Sequence, residues 1–130
     1  MSEFIKKYLM PIIYIFISFT HFIYIELICS DIPVSLSFQS LISTLKLQIF
    51  IFIILFIIVI FTHLTKLNLI LYFLSLSPYF FNLLLGSQEK YNLIYEGYRN
   101  AIILDFFSAF LSFVLIINIY VIYKIKGIKN

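Results

Sequence analysis

Four long apolar runs separated by short polar stretches organise this chain. Tyr8 to Ile25 passes 18 residues without a formal charge, and as a helix this reaches about 27 Å, close to the hydrocarbon thickness of a bilayer. A first span is therefore placed at about residues 8–29. Its dibasic start resembles a signal peptide, but the run is long, contains His21 and has no small-residue cleavage site after it, so the reading is an uncleaved span. Leu47 to Thr65 is almost unbroken Ile, Leu and Phe, and Leu67 to Gln88 is free of formal charge, with Lys66 between them. One helix across both would overshoot the bilayer by nearly a factor of two. Two antiparallel spans, at about 47–65 and 67–87, are expected instead, joined by a tight turn at His63–Lys66. Pro78 removes a backbone hydrogen bond inside the third span and predicts a local kink over 72–78. Asn100 to Tyr123 yields a fourth span at about 101–123, interrupted in charge only by Asp105. Residues 88–100, with Glu89, Lys90, Glu96, Gly97 and Arg99, form a polar loop.

Between the first two spans the pattern changes. Val34, Phe38, Leu41, Ile42 and Leu45 recur at helical spacing, while Ser35, Ser37, Gln39, Ser40 and Ser43 take the other side. This predicts a short amphipathic helix at about 34–46 on the membrane surface, with Pro33 near its start. The other arrangement, a continuation into a long tilted second span, would leave the serines needing partners at the bilayer edge.

Composition strengthens the membrane reading. Of 130 residues, 63% are apolar and 12% charged, against roughly half and one quarter in a soluble domain. A globule this small keeps much of its surface in water, and so few polar side chains could not cover it. The net charge of +3 comes from scattered residues, so no basic patch suggests nucleic acid. The excess of Ile, Phe, Tyr, Asn and Lys is what an AT-rich coding sequence produces, so aromatic enrichment does not by itself mark a binding site. Basic residues set the orientation. With four spans both termini share a side, which collects Lys6, Lys7, Lys66, Lys124, Lys126 and Lys129 against Lys46, Lys90 and Arg99 on the other. Both termini are expected on the cytoplasmic or matrix side.

The polar residues within the spans fall on faces. Asn68, Tyr72, Ser75, Tyr79, Asn82 and Gly86 lie within a sector of about 80° at helical spacing. Ala101, Asp105, Ser108, Ala109 and Ser112 share another of about 100°, and these hold the chain's only two alanines. Small residues let helices approach, and Ser or Asn can bond across the contact. The first span contributes Tyr14, Ser18 and His21, whereas the second has no polar stripe between Gln48 and Thr62. Spans one, three and four are accordingly expected to face one another, with the second more exposed to lipid. His21, Glu26, Asn82 and Asp105 fall at related depths in the outer half and form a candidate polar cluster. An ionisable group at such depth is costly and is a functional candidate by default.

Specific chemistry is absent from the pattern. Cys29 is a lone cysteine, His21 and His63 are the only histidines, and the three glycines are too far apart for a phosphate loop. No metal, cofactor or nucleophile motif is present. The sequence thus describes an all-α integral membrane protein: a single four-span domain over residues 1–130, with a short interfacial helix. Its expected partners are the lipid bilayer and another membrane protein or a second copy, not nucleic acid. The expected function is noncatalytic helix–helix interaction, as an accessory subunit, an assembly factor or a bacteriocin-immunity-type protein. The alternative is a small proton-coupled solute transporter using Asp105, helped by Glu26, His21 and Asn82. An enclosed Asp105 would favour packing, and a water-accessible cavity reaching it would favour transport.

Overall fold

The computed structural model describes residues 3–28, 37–62, 65–85 and 96–126. Four helices carry the chain: α1 (Met10–Ile28), entered through a single π-helical turn at Ile5–Leu9, then α2 (Phe38–Phe61), α3 (Lys66–Leu85) and α4 (Glu96–Lys126). Each is long and apolar enough to cross a membrane, and each coincides with one of the four apolar runs. At 1.5 Å per residue, α2 is about 36 Å long and α4 about 46 Å.

Two expected boundaries change. Of the interfacial helix at 34–46, residues 34–36 lie outside the described residues, and Phe38 to Lys46 is the opening of α2, continuous with the apolar run after it. The hydroxyl groups near the start of this segment have local partners. Ser37 caps α2, its Oγ accepting the Ser40 N–H at 3.2 Å and donating to Ser40 Oγ at 3.0 Å, and Thr44 Oγ1 donates to the Ser40 carbonyl at 2.8 Å. Likewise Glu96 to Asn100, assigned to the polar loop, are the opening turns of α4. The rest of that loop up to residue 95, together with Gly86, Cys29, His63 and Lys129, lies outside the described residues.

The helices close a ring in which α1 packs on α2 and α3, and α4 packs on α2 and α3. The pairs α1/α4 and α2/α3 are therefore the diagonals. Asn68 meets Lys7, Ser75 meets Ser18 and Tyr79 meets His21, so α1 and α3 run the same way. Gln48 meets Ser108 and Ile60 meets Lys126, which makes α2 and α4 parallel too. Asn82 against Asp105 sets α3 antiparallel to α4. The segment before α1, the end of α2, the start of α3 and the end of α4 thus share one end of the bundle.

This ring corrects the expectation that spans one, three and four face one another while the second is lipid-exposed. Leu41, Thr44, Gln48, Phe52, Leu55, Ile58 and Val59 of α2 are buried, at the i, i+3, i+4 spacing of a packed helix face. A face in lipid needs shape rather than polarity to pack, so an all-apolar run hides which side is inside.

Pro11 and Pro78 lie inside helices, and each deprives a carbonyl of its usual amide. Pro78 cannot donate to the Leu74 carbonyl, and Ser77 Oγ does so at 2.7 Å. Pro11 cannot donate to the Lys7 carbonyl, and the Asn68 side-chain amide does so at 3.2 Å. Helix α3 continues through Pro78 to Leu85. At the end of α2, Thr62 Oγ1 donates to the Ile58 carbonyl, the Thr62 amide to that of Val59, and Lys126 Nζ reaches from α4 to that of Ile60. Three of its last four carbonyls are satisfied without water.

Candidate functional site

The bundle buries polar side chains among the apolar ones of its core, and its exterior is apolar. Phe16 is 70% exposed and Leu84 76%, whereas Ser18, His21, Gln48, Asn68, Ser75, Asp105, Ser108 and Ser112 are all buried. The interior polar groups form three junctions between helices.

The first joins α1 to α3. Ser18 Oγ donates to the Ser75 carbonyl at 3.0 Å, and Tyr79 Oη donates to the Ser18 carbonyl at 3.2 Å. His21 Nδ1 lies 2.9 Å from Tyr79 Oη. The ring's Nε2 has no partner among the described residues. Phe52 of α2 closes this layer, with its ring centroid 6.1 Å from that of His21 and 5.6 Å from that of Tyr79. Two turns toward the starts of α1 and α3, the Tyr14 and Tyr72 rings pack at a tilt of 44° with centroids 4.2 Å apart. The faces expected for spans one and three are therefore the ones that meet.

The second junction joins α3 to α4. Asn82 Nδ2 donates to Asp105 Oδ1 at 3.0 Å, and Asp105 is only 6% exposed. Ala101 and Ala109 flank Asp105 on the same buried face, as the small-residue stripe predicts. The third joins α2 to α4: Gln48 Nε2 donates to Ser108 Oγ, which in turn donates to the Leu104 carbonyl at 2.8 Å.

The four residues of the candidate cluster separate accordingly. Asn82 and Asp105 pair directly, while His21 belongs to the junction one turn along α3, through Tyr79. Glu26 is half-buried, with Oε1 unpartnered among the described residues. Gln48 and Tyr79 turn out to be the hubs of two junctions. Tyr79 was visible in its stripe. Gln48 could have been found only by running the i, i+3, i+4 register back from Phe52, because its neighbours offer no polar contrast.

The chemistry this permits is limited. The Ser18 hydroxyl donates to the Ser75 carbonyl rather than to His21. No group of three His, Cys, Asp or Glu converges among the described residues. The hydrogen bonds of the three junctions fix the register of the helices on one another. Comparison of the chain with protein-family models, with curated proteins and with solved structures finds no match in any of the three.

Proposed function

We propose that this chain is a noncatalytic four-span membrane protein, with both termini on the cytoplasmic or matrix side, that acts by laying its outer helix faces against another membrane protein. An accessory subunit, an assembly factor or an immunity-type protein that meets a toxin's apolar helices would each work this way. The observation that carries the reading is the Asn82–Asp105 pair: the one carboxylate deep within a span is buried and bonded to a neighbouring helix. Hydrogen bonds among interior side chains join the helices, and the apolar exterior is the surface for recognition. An apolar groove lies between α2 and α4 and is lined by Ile49, Phe56 and Leu111 among others, away from Asp105. A proton-coupled transporter would instead need solvent access to that carboxylate.

Affinity purification from membranes in mild detergent tests the reading. A stoichiometric membrane-protein partner is expected, lost when an exposed apolar position such as Phe16 becomes Lys and kept in Asp105→Asn. Purification as a lone chain, with reconstituted vesicles showing a flux that Asp105→Asn abolishes, would replace this function with transport. Tags at the two termini reporting on opposite faces would overturn the layout.

A further inference from the structure

We propose that the groove between α2 and α4 seats a second copy of this chain, with Asn118 of the two copies hydrogen-bonded across the contact. The groove holds about 220 Å³ and is walled by Phe52, Ile53, Phe56, Val114 and Leu115, with Asn118 its one polar residue. That volume accepts an aromatic or branched aliphatic side chain, since cavities of about 150 Å³ take benzene. The exposed Phe110, Phe113 and Ile117 of α4 supply such side chains beside it.

Asn118 identifies the occupant. Its Nδ2 donates to the Val114 carbonyl at 3.0 Å, its only hydrogen bond among the described residues, so the amide retains a second N–H and an oxygen acceptor. It sits six residues before Lys124, about 9 Å deeper along the helix, where no water competes for these groups. An acyl chain would cover the apolar walls but offer the amide nothing. A helix of a different protein would need a polar group at matching depth. A second copy meets that requirement by symmetry, because two chains inserted the same way carry Asn118 at the same depth, and an amide is complementary to itself. The basic ends do not prevent the approach: Lys126 Nζ is turned onto the Ile60 carbonyl, and Lys124 lies over the Tyr120 and Tyr123 rings.

The test is self-association of the full chain in phosphatidylcholine vesicles, read by energy transfer between labelled copies as the protein-to-lipid ratio is varied. A dimer is expected that Asn118→Leu weakens roughly threefold to thirtyfold, the range for one to two hydrogen bonds in a bilayer, and that Asn118→Gln restores. Unchanged helical content in Asn118→Leu separates lost association from lost folding. In a Cys29→Ser background, Asn118→Cys should cross-link between copies, whereas Ile12→Cys on the opposite side should not. A chain monomeric at every density, or a dimer indifferent to Asn118→Leu, overturns the inference. Capture of a different membrane protein by Asn118→Leu would still support the docking function proposed above, so the two readings fail separately.

Discussion

The two halves of the bundle are held by different means. Between α1 and α3, Ser18, His21, Ser75 and Tyr79 bond through side chains and backbone carbonyls, with the tilted Tyr14–Tyr72 ring pair beside them. Between α2 and α4, Gln48 to Ser108 is the bond in the interior and Lys126 to Ile60 the one at the end, while Leu55, Val59, Leu115 and Ile119 supply shape. The contrast teaches that helices in an apolar medium can be matched by polar bonds or by contour, and that only the former leaves a trace in the composition of a span.

Substitutions can break this comparison. The largest effect is expected from Tyr79→Ala, which removes two hydrogen bonds and a ring packed against His21, Phe22 and Phe52; a loss of about 4 kcal/mol should appear in equilibrium unfolding followed by circular dichroism in mixed micelles. Leu55→Ala should come next, at about 3 kcal/mol, because Leu55 is fully enclosed on the half that relies on contour. Asn82→Leu takes away a donor to a buried carboxyl group and should cost about 2 kcal/mol, measured in the same assay. Tyr79→Phe keeps the ring and removes only the hydroxyl; about 1 to 2 kcal/mol is expected for two bonds in a membrane. Gln48→Leu should change stability least, by under about 1 kcal/mol: Gln48 Oε1 is unpartnered, and Ser108 keeps its bond to the Leu104 carbonyl. If Gln48→Leu cost as much as Tyr79→Ala, the two halves would be held alike and the contrast would collapse.

The same contrast explains how much could be read from the chain. The four helices follow from run length, because hydrocarbon thickness is a ruler that sequence must match. The α1, α3 and α4 faces follow from periodic polar residues: Tyr14, Ser18 and His21 are buried together, as are Asn68, Tyr72, Ser75 and Tyr79, and Ala101, Asp105, Ser108 and Ser112. Which faces meet does not follow, since an inward stripe fits either neighbour or the diagonal. The buried face of α2 does not follow, because Leu55 and Val59 differ in no chemical respect from the exposed Ile53 and Ile57. That 38–46 continues into α2 does not follow either, because the pattern counts the polarity of the serines at 37–43 without showing that Ser37 and Ser40 bond each other. Asn118 gives no signal for the opposite reason: a single amide among isoleucines and valines makes no stripe.

The Asn82–Asp105 pair also bears on how the chain is made. A carboxyl group entering the bilayer alone on α4 costs about 3 kcal/mol, and the donor that lowers this cost resides on α3, the preceding segment. Translocation machinery that released α3 into lipid before α4 emerged would forfeit that help. Biogenesis is thus most favourable when the two segments leave the channel together as a hairpin, and in Asn82→Leu the last segment should insert less completely even where the finished bundle tolerates the change.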